Sequence, residues 1–334
     1  MLASIDSVAR IRRLSSVLIV FGFLFSFYAI LQYVLSPTKI YGLYDAQHAA
    51  QPFGSFVNRH NYAALIEMLI AVPLGMLFTG SIAREKRLIV ITAVLLMGVS
   101  LILSGSRGGL LALVSSLVFL VIVTGRAKSG NQIAVKVALA ALLLVIVVFG
   151  SIFVGGESSL TRIAETAKSD DFSANRFHIW KVTLDVIVAN LPFGAGIGAY
   201  AAAYTQFDTM NGMGRVEQAH NDYLQILADA GVVGLILGIA FIGGFFRIGM
   251  KSVRTDNVYR RGIALGAMTG CFSILVHSIF DFVLHTTAIS LTFLTLLTLV
   301  VAAGREYDDD ERVFERKRRK ANVTSIEAKR KRED

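Results

Sequence analysis

The sequence is short of the residues on which soluble enzyme chemistry is usually built. A single cysteine, Cys271, in 334 residues excludes a disulfide framework and any metal site made of cysteines. Only 17% of the residues are charged, too few for an ordinary solvated surface around a chain that is 54% hydrophobic. No Gly-x-Ser-x-Gly, His-Glu-x-x-His or P-loop pattern occurs, so those hydrolase, zincin and nucleotide chemistries have no motif to rest on. The net charge of +9 is not pooled in one basic patch, which argues against a nucleic-acid partner.

What the chain has instead is apolar length. Mean hydropathy is +0.61, and several runs of about 20 apolar residues can each cross a hydrocarbon core of about 30 Å. Inside lipid every backbone N–H and C=O must be satisfied within the protein, so these spans are expected to be helices. The expected fold is an all-α, polytopic transmembrane bundle of about eight spans. They fall at 14–35, 61–80, 88–103, 110–125, 133–154, 232–246, 262–283 and 286–303. Arg10, Arg12 and Arg13 precede the first span, which is too long for a signal-peptide core and reads as an anchor. Lys and Arg gather in the 81–87, 126–136 and 247–261 turns and in the tail from Arg305. With an even number of spans these share one side with both termini, and the positive-inside rule makes that side cytoplasmic. The expected division is five spans in 1–154, a periplasmic loop over 155–220, three spans in 221–303 and a charged cytoplasmic tail over 304–334.

The long loop carries its own pattern. Apolar residues at 177, 180, 184, 187 and 188 have helical spacing, which predicts an amphipathic helix with Trp180 at its edge and Ser173 as its N-cap. Gly194, Gly196 and Gly198 break it; no strand precedes them, so they do not make a dinucleotide-binding turn. The polar groups on the outer side are Arg59 and His60, Arg107, Arg176 and His178, and Arg215, Glu217, His220 and Asp222. His277, Asp281 and His285 recur every four residues, which predicts one helical face. Such a face is a thin metal ligand set, and a polar contact between helices is the expected role, with no metal and no other cofactor. Arg107 and Arg176 suit a pyrophosphate, because a guanidinium stays charged and binds phosphate oxygens in a fork. The plainer alternatives are an interfacial anchor for Arg107 and a surface pair with Asp170 or Asp171 for Arg176. An imidazole titrates near neutrality, so His220 is the natural general base, oriented by Asp222 or Glu217. Glu67 in the second span is a weak signature of a proton-coupled transporter.

Taken together, these residues resemble a known family. Phe53-Gly-Ser-Phe-Val-Asn-Arg-His-Asn61-Tyr-Ala63 resembles the start of a span in the O-antigen ligase and O-antigen polymerase family of bacterial membrane glycosyltransferases. Ser104-Gly-Ser106-Arg107-Gly-Gly109 resembles its Ser-Arg-Gly turn. Asn175, Arg176 and Trp180, with Pro192 and the alternate glycines, resemble the start of its periplasmic loop. Ala219-His220-Asn221, Tyr223-Leu224-Gln225 and Gly231-Val-Val-Gly234 resemble the loop's end, and His277, Ser278, Asp281 and Phe282 add a weaker match. The chain departs from the pattern at its start, where one span precedes the first motif and family members carry more.

The resemblance implies an inverting, metal-independent transfer of a glycan from undecaprenyl pyrophosphate to an acceptor hydroxyl, on lipid A-core or on a growing glycan. It implies a multi-pass protein of the bacterial inner membrane with a periplasmic active site. Arg107 and Arg176 would hold the pyrophosphate and His220 would act as base, with Asn221, Trp180, Asn61, Arg59, Asp281, His277 and Arg215 in support. The alternative class is an exporter or flippase of a lipid-linked glycan. Spans nearly free of charge, with polar groups gathered at one face, do not favour it.

Overall fold

In the computed structural model the described residues are 5–45, 52–125, 170–209, 216–305 and 307, with isolated positions between 137 and 149. Most of the fifth expected span, the first part of the long loop, Arg215 and the tail beyond Tyr307 lie outside them.

The described residues are all-α apart from a two-residue antiparallel pair, β1 (Lys39–Ile40) and β2 (Tyr44–Asp45). The long helices are α1 (Val8–Leu35), α2 (Arg59–Thr79), α3 (Arg84–Leu103), α4 (Arg107–Gly125), α5 (Asp170–Ala189), α7 (Asp222–Ser252), α8 (Val258–His277) and α9 (Thr287–Ala303). A short α6 (Tyr200–Thr205) lies between α5 and α7. Among the described residues five helices, α1 to α4 and α7, are long and apolar enough to cross a membrane. The chain is a polytopic helical membrane protein.

Local sequence explains where several helices start and stop. Asn58, Asn221 and Asn257 cap α2, α7 and α8 by accepting first-turn backbone N–H groups on their side-chain oxygens. Gly80 ends α2 in the left-handed conformation, at φ 69°. Helix α2 continues unbroken through Pro73.

The bundle is built around the crossing of α2 and α8. A Cβ on Gly75 would lie 2.2 Å from the Gly266 nitrogen, and one on Gly266 would lie 2.5 Å from the Val72 carbonyl oxygen. The two backbones therefore touch, the approach that small residues permit between membrane helices. This crossing buries α2 along most of its length, while α1 and α7 keep many apolar side chains outward, where lipid would lie.

The ends of the bundle differ in chemistry. At one end the Arg12 guanidinium stacks 5.1 Å from the Tyr259 ring centre, and Arg260 donates to the Arg305 carbonyl oxygen. At the other lie the start of α2, the α3–α4 turn, the end of α8 and the start of α7.

Helices α5 and α6 form a second, smaller core with the first turns of α7, through Val182, Val186, Tyr200, Tyr204 and Ala228. Helix α7 breaks at Gly231, with φ 63° and ψ −158°. Across that break the Val232 N–H donates to Pro192 O at 2.9 Å, and the Ala195 and Gly196 N–H groups donate to Ala228 O and Asp229 O. A Cβ on Gly231 would sit 2.0 Å from Pro192 O. The glycine-rich loop thus docks on a helix kink through backbone bonds.

Two sequence expectations need correction. Helix α5 begins at Asp170, so Ser173 lies inside the helix and is not its N-cap. The expected face of His277, Asp281 and His285 does not form, because α8 stops at His277. Asp281 lies in the following turn, and His285 closes a 3-10 turn, Val283–His285. The cause is capture of carbonyls from outside: Asn221 donates to Ile279 O at 2.9 Å and the Asp222 N–H to Ser278 O at 2.9 Å. The start of α7 takes bonds that a longer α8 would use itself.

The α2–α8 crossing leaves no room for side chains at the touching glycines. Gly266→Val is expected to destabilise the protein by about 3 kcal/mol or more, read as loss of a monodisperse, cooperatively melting species in detergent. Gly238→Ala, with open space around the new methyl, is expected to melt like the parent.

Candidate active site

The site is assembled from four places in the chain. Ser106 accepts the Gly109 N–H at 3.2 Å and so caps α4, which puts Arg107 in its first turn. Two glycines follow because the helix start is crowded. A Cβ on Gly108 would lie 2.7 Å from the His277 ring, and one on Gly109 would lie 2.7 Å from the Ala63 Cβ. Helix α5 supplies Arg176, Phe177 and Trp180, the end of α8 supplies His277 and Asp281, and α2 supplies His60.

These side chains line a cavity of about 330 Å³ that holds both Arg107 and Arg176. His220 stands beside it. Its Nδ1 lies 3.3 Å from Asp281 Oδ1, while the Arg176 guanidinium donates to Asp281 Oδ2 at 3.4 Å. One carboxylate therefore joins an arginine of the cavity wall to the histidine. His220 itself is held in the left-handed region, at φ 49°, costly for a residue with a Cβ. The surrounding bonds impose it: Trp180 Nε1 donates to Ala219 O at 3.0 Å, and the Ala219 N–H donates to Gln225 Oε1 at 2.8 Å. Asn221 and Asp222 are tied to the end of α8 as described above. The Phe282 ring packs edge-on against the imidazole, 4.8 Å between centres.

The electrostatics follow from burial among cations. Burial works against the Asp281 charge, but the hydrogen bond from His220 and the nearby positive charges outweigh it, holding the carboxyl below the usual carboxylate range. Burial also lowers the Arg176 guanidinium; Asp281 opposes that and Arg107 adds to it. Two guanidiniums face one cavity, with a single carboxylate already committed to a guanidinium and an imidazole. Such a cavity suits an anion.

His60, His277 and Asp281 could each offer a ligand atom, and these atoms lie within 4.8 Å of one another. The Asp281 carboxylate is already bonded to Arg176, and Arg107 shares the cavity. A divalent cation would sit among like charges there, so the set fits a metal poorly.

The structure brings together Arg107, Arg176, Trp180, His277 and Asp281 around the cavity, with His220 and Asn221 at its edge. Arg59 packs near Gly105, and Asn61 sits in the first turn of α2. The carboxylate that orients His220 is Asp281, which corrects the expectation of Asp222 or Glu217. Asp222 accepts from Ser278 Oγ at 2.7 Å and pairs with His285 at 3.6 Å. Arg176 pairs with Asp281 in a buried position, and His178 faces away toward Asp208. Sequence reasoning named His60 among the outer polar groups but gave it no role; its Nδ1 lies 2.9 Å from Ser106 Oγ. It also missed the partnership of Glu67 with His277, at 2.9 Å. An acid within one span and a histidine ending another is a pairing signal, since ionisable groups in membranes find partners.

Fold and site define a class: a polytopic membrane protein with an arginine-lined cavity and a histidine bonded to a buried carboxylate at one end of its helices. Residues 92–239 match the sequence model of the family described as O-antigen ligase. The match supports an assignment to the O-antigen ligase and polymerase family. The matched stretch contains Arg107, Arg176 and His220. No curated protein matches the chain. The family match also supports an O-antigen ligase-type glycosyltransferase activity in cell-envelope polysaccharide synthesis.

Asp281 is a stability element as well as an orienter. Because its carboxyl is depressed in the folded state, its contribution is full above about pH 4 and declines as the pH falls below that. Asp281→Asn is expected to lower the melting temperature at pH 7, and the gap to the parent is expected to narrow progressively under pH 4. Melting curves in detergent across that range provide the check.

Proposed function

We propose that the protein transfers a glycan from undecaprenyl pyrophosphate to an acceptor hydroxyl by one inverting displacement, without a metal. The observation that carries this reading is the single carboxylate, Asp281, joined to both Arg176 of the anion cavity and the His220 imidazole. Arg107 and Arg176 hold the pyrophosphate. His220, with its Nδ1–H directed at Asp281, accepts the acceptor's proton on Nε2. The acceptor oxygen attacks the anomeric carbon as the bond to the phosphate oxygen breaks, and the electron pair leaves with the pyrophosphate. A single displacement inverts the anomeric centre. The two guanidiniums supply the positive charge that a divalent cation supplies in many phosphate-transfer sites.

The basic end of the bundle supports a cytoplasmic face in a bacterial inner membrane for that end, and so a periplasmic location for the cavity. The acceptor is a hydroxyl of lipid A-core or of a growing glycan. Its specificity would come from the α5–α6 region and the residues around it.

The test is transfer by purified protein in nanodiscs, with the lipid-linked donor and the acceptor on the same side. Arg107→Ala and Arg176→Ala are each expected to lower turnover by about 100-fold or more. His220→Ala is expected to lower it by about 100- to 10,000-fold. Expression and melting of Arg107→Ala should stay near the parent's, and turnover by His220→Ala is read on its folded fraction. Near-normal transfer by His220→Ala would reject the base assignment.

A further inference from the structure

We infer that His277, braced by Glu67, gives the pyrophosphate a third hydrogen-bond donor beside Arg107 and Arg176. The inference rests on the pyrophosphate reading of the cavity and extends it to two residues outside the matched stretch.

His277 ends α8 and lines the same cavity as both arginines. Its side chain is fully buried, and so is that of Glu67 in the middle of α2. The Nδ1 atom is 2.9 Å from Glu67 Oε2, which fixes the ring plane. The other nitrogen, Nε2, is buried and has no hydrogen-bond partner. A buried ring nitrogen without a partner is costly, and among the described residues it sits where a ligand would supply one. With two protons shared across the Glu67–His277 pair, one lies between the carboxylate and Nδ1, and the other is an N–H on Nε2. The pair is then neutral overall, so a strong donor can stay in the apolar interior.

The neighbouring groups favour an oxyanion over a cation as that partner. Arg107 and Arg176 share the cavity, and the Asp281 charge is occupied by Arg176 and His220. Gly108 sets the reach of the site: a Cβ there would come within 2.7 Å of Nε2. The missing side chain lets the first turn of α4, with its outward N–H groups, stand against this nitrogen. Glu67 serves as a positioning residue, and His277 is the group that touches the phosphate oxygens.

Trp180, the single tryptophan of the chain, lines the cavity and reports on its occupancy. The test is titration of the detergent-purified protein with farnesyl diphosphate, read by Trp180 fluorescence. The parent is expected to bind, and Arg107→Ala, His277→Gln and Gly108→Ala are each expected to weaken binding by about tenfold or more. Glu67→Gln, which keeps the shape of the pair, is expected to weaken it less. If His277→Gln fails to melt cooperatively, Gly108→Ala decides, since its methyl blocks Nε2 and suits a helix. Weak binding by Arg107→Ala together with parental binding by Gly108→Ala, and by His277→Gln where it folds, would overturn this inference and leave the pyrophosphate reading standing. Parental binding by Arg107→Ala, or no binding by the parent, would overturn that reading itself. A His277-dependent rise in melting temperature with Zn²⁺ alone, without response to the diphosphate, would overturn the choice of an anion.

Discussion

The Asp281 carboxylate is the bond on which the site depends. It lies just past the end of α8, almost wholly buried, and each of its oxygens meets a different part of the chain. Oδ2 holds Arg176 of α5, which belongs to the smaller core outside the main bundle. Oδ1 holds His220, in the left-handed turn that precedes α7. Without this carboxylate the second core would still pack on the first turns of α7, but the arginine and the histidine would have no common reference. A buried carboxylate is stable only if nearby donors exceed its desolvation cost. The depressed carboxyl indicates that here they do.

Around that bond the protein combines two kinds of rigidity. The α2–α8 crossing is backbone against backbone, at Gly75 and Gly266, and it fixes where α8 ends and therefore where His277 and Asp281 stand. The α5–α6 unit is fixed by backbone bonds across the Gly231 kink and by the Trp180 bond to Ala219. Chemistry on a lipid-borne substrate needs charged groups that do not relax when the substrate arrives, because reorganising them would add to the barrier. Glycine contacts and backbone hydrogen bonds provide that stiffness.

Much of the architecture was legible in the chain. The apolar runs marked the long helices because a lipid-facing backbone has no alternative to the helix. The arginines at 107 and 176 and the histidine at 220 stood out because charges are rare in this sequence and these fall beside apolar runs. The sequence misled where a local pattern met a competitor from elsewhere. A four-residue repeat from His277 to His285 satisfies helical spacing, yet Asn221 and Asp222 intercept the carbonyls of residues 278 and 279. Nearness along the chain also misled at His220, where Asp222 is two residues away and turns instead to Ser278 and His285.

Composition and hydrophobic spacing alone determined that this is a helical membrane protein with its polar groups gathered between spans, because solvation by lipid acts on each segment independently. Which polar groups meet was decided only by tertiary structure. Asp281 lies 105 residues from Arg176 and 61 from His220, and Glu67 lies 210 from His277. Such pairings depend on how helices cross, and the crossing is set by which glycines allow two backbones to touch.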